Sequence, residues 1–412
     1  MSRRRVAVTG LGLVTPHGTD PAAVFGALFE GRSAIRAFSR HTEAGRFDAI
    51  GACIDASSWD AIPKELLATT DRCGALALAA AESAIADARL DLPAEDTDRL
   101  GVSIGTSLGG ALSQESAYAQ LFADPASRLS PFTLVRVMYN GPAAHLGMRY
   151  RLAGPNLTHS ETCASSAVAI GEAARKIQHG EADVMLAGGT EAPFAFVSVK
   201  AWAALHVLAP ARQENVAATC RPFSRDRNGT VLGEGAAVLV LEEWSRARSR
   251  NAQIYAEVLG YAVVNDPHHL TQPSVRAQAH AMSAALSDAA LDAPRVDYIN
   301  AHGTATRRND ETETAAIKQV LGAHAHRVAV SSTKSMHGHL VGAAGALEAL
   351  VTVLALHNQS LPPTAHLDVP DPALDLDYVP TTGRRSRVHH AMSNSFAVGG
   401  TAATLVFRRA DT

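Results

Sequence analysis

Five runs rich in β-branched and aliphatic residues recur along the chain: Val6 to Gly10, Leu100 to Thr106, Val184 to Gly189, Tyr298 to Thr304 and Val328 to Ser332. Each ends in Gly, Ser or Thr and leads into a helix-like segment. Strands that alternate with helices predict an α/β fold whose largely parallel sheet is covered on both faces. A second pattern lies on top of this one. Gly233 to Glu243 resembles Gly399 to Arg409, with identities at Gly233/Gly399, Ala236/Ala402, Ala237/Ala403, Leu239/Leu405 and Val240/Val406. Shared strand composition would also produce so short a match. As a duplication, it makes each run the closing strand of one half and divides the chain into 1–251 and 252–412, with a strand from Ile254 to Val264 opening the second half.

The composition supports two cores. At 412 residues, 47% hydrophobic and 5% aromatic, the chain can bury two Ala/Val/Leu interiors. A net charge of −3 argues against nucleic acid or membrane partners drawn by overall charge. Local arginine groups at Arg246, Arg248 and Arg250, and at Arg384, Arg385 and Arg387, read as solvated surface. Cys53, Cys73, Cys163 and Cys220 lie far apart, with neither zinc-site spacing nor disulfide density, so a reducing, cytoplasmic setting is expected. The N-terminal apolar run is short and glycine-interrupted, as a first core strand would be. Gly345 to Leu356, the best membrane candidate, carries Glu348 and is too short to span a bilayer.

Three strand ends carry reactive residues. Apolar Ala167, Val168, Ile170, Ala174 and Ile177 oppose Glu172, Arg175 and Lys176, and Gly180 follows, which predicts a helix starting near Cys163. A thiol at that N-terminus is expected to favour its thiolate, and the free amides there can hold an oxyanion. His302 ends a β-run ahead of a Gly/Thr turn and an acidic helix start containing Asp310 and Glu313. Lys334 and His339 precede a helix of small residues. A lone histidine in either place is more often a satisfied polar residue than a catalyst, but Cys, His, Lys and His at three such ends call for a shared explanation.

These motifs, together with the Val6-Ala-Val-Thr-Gly-Leu-Gly12 start and the Ser393 to Thr401 segment, resemble β-ketoacyl-acyl carrier protein synthases of the elongating Cys-His-His type, closest to the synthase II branch. The resemblance covers essentially the whole chain. It implies a thiolase-like five-layer αβαβα fold of two similar halves, a homodimer or else the active half of a heterodimer, and acyl carrier proteins as partners. No metal or organic cofactor is required. Cys163 matches the nucleophile, His302 and His339 the two histidines, and Lys334 the lysine. Glu313 matches the acid that pairs with that lysine, with Asp310 beside it in support. Thr304 and Thr306 match the threonines that bind the pantetheine arm, and Thr271 is expected to line the same tunnel. The backbone amides of Cys163 and Val398 are the implied oxyanion donors, and Phe396 opens the gate segment.

The sequence departs from that pattern in the gate. Where Phe-Gly-Phe-Gly-Gly-Thr-Asn is usual, it reads Phe396-Ala-Val-Gly-Gly-Thr-Ala402. Alanine restricts the backbone and valine is smaller than phenylalanine, so a stiffer and more open gate is expected. His206 stands where relatives often have an arginine, and Trp202, expected at the pocket mouth to contact substrate, stands where phenylalanine is commoner. A specialised polyketide or polyene synthase is therefore a competing reading. A non-catalytic partner resembling chain-length factors would lack the nucleophile, a thiolase would carry a second cysteine near the C-terminus, and a starter-type synthase would have asparagine in place of His339.

Overall fold

A computed structural model describes residues 3–42, 45–54, 68–212 and 214–410. Ten strands form one hydrogen-bonded sheet: β1 (Val6–Val14), β2 (Leu100–Gly105), β3 (Asn156–His159), β4 (Val184–Glu191), β5 (Gly235–Glu243), β6 (Ala256–Asn265), β7 (Tyr298–Asn300), β8 (Ala329–Ser331), β9 (His390–Phe396) and β10 (Thr401–Arg409). Their order is β8-β7-β9-β10-β6-β1-β5-β4-β2-β3. The first five strands in the chain make one half and the last five the other, meeting where β1 runs antiparallel to β6. The repeated strands β5 and β10 occupy equivalent places, each second from that junction.

The sheet is mixed rather than largely parallel. Pairs β2–β3, β2–β4, β7–β8 and β7–β9 are parallel. Near the junction β1–β5, β4–β5, β6–β10 and β9–β10 are antiparallel. The alternating strand-helix rhythm predicts parallel crossovers and is silent on strands that double back, which is what β5 and β10 do.

Helices complete five layers. The ones that matter here are α1 (Arg72–Ala88), α2 (Ala111–Ala123), α3 (Thr133–Val137), α4 (Gly141–Tyr150), α5 (Ser165–Gln178), α6 (Phe196–Ala204), α7 (Val275–Asp288), α8 (Arg307–Leu321) and α9 (Ala344–Asn358). On one outer face α1 packs on β1, β5 and β4. On the other, α7 packs on β6 and β10. Between the two halves lie α5 and α9, each touching strands of both. Glycines allow the outer contacts: a Cβ at Gly12 would lie 2.0 Å from the Ala80 carbonyl oxygen, and one at Gly260 2.5 Å from that of Ala285.

The middle layer explains the composition of α9. Every residue from Ala344 to Leu356 is buried, so the helix is apolar all round, as a helix packed on every side must be. The helical run Val341–Asn358 reaches 18 residues with mean hydropathy 1.4, longer than the expected Gly345 to Leu356, yet 89% of it is buried inside the protein. Its length therefore reflects a core position.

One arginine group is more engaged than expected, whereas Arg384, Arg385 and Arg387 are exposed as expected. Arg246 and Arg250 both pair with the fully buried carboxylate of Glu242, and Arg384 pairs with Asp377. Arg246 and Arg250 are thus part of the framework around β5, while Arg248 is exposed.

Candidate active site

Cys163 lies in a single 3-10 turn, Thr162–Ala164, that leads from β3 into α5. The turn is tight: Thr162 has φ +47°, and its hydroxyl donates to the Val398 carbonyl at 2.6 Å. This bond ties the nucleophile's turn to the gate segment between β9 and β10. Cys163 itself is buried, at the floor of a cavity of about 650 Å³.

His302 sits just beyond β7, and His339 just ahead of α9. The reactive atoms of Cys163, His302 and His339 lie within 4.8 Å of one another. The two imidazoles meet edge to face, with centroids 5.5 Å apart and planes at 84°. His339 Nε2 is 3.1 Å from the Cys163 sulfur. On the far side of that ring, the Val341 N–H donates to Nδ1 at 3.1 Å. Burial, reinforced by the Lys334 charge, holds both histidines well below the usual imidazole range, so both are neutral at neutral pH. A neutral His339 whose Nδ1 already accepts must carry its proton on Nε2. It therefore donates toward the sulfur and toward any substrate oxygen placed there.

The thiol differs from the sequence expectation. Burial pushes Cys163 up to about 11, opposed by the amides of Val398 and Cys163 itself and by the Lys334 charge. The helix-terminus argument considers only the favourable field and omits the cost of removing a thiolate from water. Resting Cys163 is thus a protonated thiol. The amides of Cys163 and Val398 do face the sulfur, as oxyanion donors would.

The partner of Lys334 also differs. The ammonium pairs with Glu348 of α9, both side chains being fully buried, and not with Glu313. Glu313 is engaged elsewhere. Its carboxylate accepts from the His302 and Gly303 N–H groups at 2.9 and 2.8 Å and from Asn394 Nδ2 at 3.2 Å. It fixes the backbone that carries His302. Asp310 lies behind the cavity, accepting from the Phe223 N–H at 2.9 Å and facing Arg227 at 3.6 Å. Burial raises it to about 7, against the Phe223 amide and Arg227. Glu348 was legible only as the charge that interrupts an apolar run, and burial raises it to about 7 against the attraction of Lys334.

Thr304, Thr306, Thr271 and Trp202 all line the cavity. The Thr304 and Thr306 hydroxyls are 2.9 Å apart and side by side. Thr271 is at the exposed rim, where its N–H donates to His269 Nδ1 at 3.0 Å. Trp202 lies deeper than a mouth position, its ring 6.5 Å from that of His339. His206 is exposed at the rim. Phe396 is buried with its ring 5.9 Å from His302, and the gate turns through Gly399 and Gly400 at φ +102° and +94°. The Gly399 N–H donates to the Leu270 carbonyl at 2.7 Å, joining the gate to the rim that holds Thr271.

A buried thiol facing two neutral imidazoles and two amides, at the end of a hydroxyl-lined cavity, is the arrangement of a thiolase-like condensing acyltransferase. Comparison with known proteins makes this specific. Residues 3–247 match the N-terminal domain of beta-ketoacyl synthases and residues 255–368 the C-terminal domain. Nodulation protein E of Rhizobium meliloti (strain 1021) is 43% identical over 98% of this chain and 99% of its own length. The 3-oxoacyl-[acyl-carrier-protein] synthase 2 of Coxiella burnetii is 39% identical over 99% of each. Among solved structures, the ishigamide ketosynthase/chain length factor aligns with TM-score 0.91 and 32% identity over 100% of both chains. A type II PKS acyl-carrier protein in complex with its ketosynthase, bound to the hexaketide, aligns with TM-score 0.90 and 32% identity, again over 100% of both. The chain belongs to the β-ketoacyl synthase family, whose members are condensing acyltransferases.

Proposed function

We propose that this enzyme joins the acyl chain held on Cys163 to a two-carbon unit derived from malonyl-acyl carrier protein, with loss of carbon dioxide. The observation that carries the proposal is the convergence of the Cys163 sulfur and the two neutral imidazoles within 4.8 Å at the cavity floor. In the first half-reaction the Cys163 thiol loses its proton, and the thiolate attacks the thioester carbonyl of acyl-acyl carrier protein. The carrier's thiol leaves with a proton, and the tetrahedral oxyanion is met by the amides of Cys163 and Val398. His339 already presents Nε2–H, so it stabilises the thiolate rather than taking the thiol proton. In the second, the malonyl carboxylate departs as carbon dioxide, and the electron pair is left on an enolate whose oxygen accepts from His302 and His339. The enolate carbon attacks the acyl-Cys163 carbonyl, and the Cys163 thiolate leaves.

Thr304 and Thr306, with Thr271 at the rim, are suited to the amide and hydroxyl groups of a pantetheine arm. Lys334 adds its charge to the burial that keeps the imidazoles neutral, while Glu348 pairs with that charge in the interior. The division at residue 251 then separates a half bearing the nucleophile from a half bearing the histidines and lysine. A second subunit fits the apolar face built from α2, α3 and α4, where Phe122 is 84% exposed and Leu134 69% exposed, with Tyr118, Phe132, Tyr139 and Met148 nearby. A homodimer is the simplest occupant. The altered gate, Ala397, Val398 and Ala402, favours a specialised acyl chain with its own carrier over housekeeping elongation. The test is Cys163→Ala. It abolishes condensation but retains measurable release of carbon dioxide from malonyl-acyl carrier protein, because both histidines remain. Full condensation by that variant would refute the assignment.

A further inference from the structure

Glu191 ends β4, is fully buried, and has no part in the chemistry above. Its Oε2 accepts from the Ser107 N–H at 2.7 Å and from the Gly342 N–H at 3.0 Å. Its Oε1 accepts from the Leu108 N–H and the Thr106 hydroxyl, both at 3.2 Å. Residues 106–108 follow β2 in the first half of the molecule, whereas Gly342 belongs to the turn Val341–Ala343 that opens α9 in the second. One carboxylate therefore fastens the two halves together beside the nucleophile.

The fastening is close and the tethered turn is strained. A Cβ at Gly342 would lie 2.6 Å from Glu191 Oε2 and 2.4 Å from the Ser107 nitrogen. The neighbouring Val341 is β-branched yet has φ +47°, a conformation that persists only when its surroundings hold it. It is the Val341 N–H that donates to His339 Nδ1.

We propose that Glu191 is a positioning residue: by holding Gly342 it keeps the Val341 N–H on His339 Nδ1, and so keeps the His339 proton on Nε2, aimed at the Cys163 sulfur. The inference rests on the functional reading above for its kinetic consequence, though not for the tautomer itself. A carboxylate suits the place because its two oxygens meet four donors. The amide of a glutamine would turn an NH₂ group toward N–H groups and leave some of them unsatisfied.

The test is Glu191→Gln in the full chain, with two readouts. Long-range ¹⁵N–¹H correlation spectra of ¹⁵N-histidine-labelled protein report the tautomer, His339 being assigned with a His339→Asn variant. Wild type shows the proton on Nε2, and the folded variant shows a mixture of tautomers. Carbon dioxide release from malonyl-acyl carrier protein falls at least about tenfold in kcat with little change in KM, as expected when a reacting group is misplaced. A folded variant with kcat within about twofold of wild type, or with reduced kcat and an unchanged His339 tautomer, overturns the proposal. So does a wild-type His339 protonated on Nδ1, a result that needs no variant to fold. Failure of the functional reading shows separately, as wild-type enzyme that releases no carbon dioxide, and the tautomer spectra still decide the role of Glu191.

Discussion

Glu348→Gln leaves the Lys334 ammonium in the middle layer of the fold without its paired carboxylate. Both side chains are fully buried. Above pH 7, where Glu348 is ionised, removing one partner of such a pair costs about 3–5 kcal/mol, because the surviving charge loses its hydrogen-bonded partner. At roughly 2 °C per kcal/mol for a large domain, the thermal midpoint should fall by about 6–10 °C. Removing both charges should behave differently. Lys334→Met with Glu348→Leu replaces the pair by apolar groups of similar volume, a change that is neutral or stabilising by about 1–4 kcal/mol elsewhere. The double variant should therefore melt near or above wild type, yet remain poor at condensation, because the charge that helps favour the Cys163 thiolate is gone, while burial still keeps both imidazoles neutral. Differential scanning calorimetry of the three variants alongside a condensation assay makes the comparison. A midpoint for Glu348→Gln within about 2 °C of wild type, or a double variant no more stable than the single, would refute this reasoning.

Two further outcomes are expected. With Cys163 raised to about 11, alkylation by iodoacetamide should accelerate about tenfold per pH unit from 7 to 10, since the thiolate fraction grows throughout that range; a plateau below pH 9 would show the thiol to be more acidic than its burial dictates. Val398→Phe should alter the preferred acyl chain or the order of substrate entry while moving the thermal midpoint little, because Val398 is only partly buried and its backbone bond to Thr162 is retained; an unchanged product profile would remove the gate from the explanation.

Much of the site was legible because its residues sit at strand ends, where glycine and threonine turns mark the exits of β-runs. Cys163, His302 and His339 were each placed by that logic, and the helix after Cys163 runs from Ser165 to Gln178, close to the limits set by its apolar face and Gly180. What the sequence hid is what tertiary packing decides. Lys334 and Glu348 meet because α9 is buried on every side, and nothing in the local pattern distinguishes Glu348 from Glu313 as the lysine's partner. The protonation of Cys163 depends on how completely the surrounding elements bury its sulfur at the bottom of the cavity. The antiparallel centre of the sheet depends on β5 and β10 turning back, which strand-helix alternation cannot register. Trp202 could be placed near the cavity but not over His339, since that position follows from how α6 packs against the turn before α9.

The central claim is that Cys163 carries the acyl chain that malonyl-acyl carrier protein then extends. Intact-protein mass spectrometry of wild type mixed with acyl-acyl carrier proteins of graded chain length, followed by malonyl-acyl carrier protein, measures this directly. The account predicts a mass increase equal to the acyl group, localised to Cys163 and absent from Cys163→Ala, that disappears on malonyl addition as a product two carbons longer forms on the carrier. Acylation at another residue, or an acyl-Cys163 that malonyl-acyl carrier protein never discharges, would contradict it.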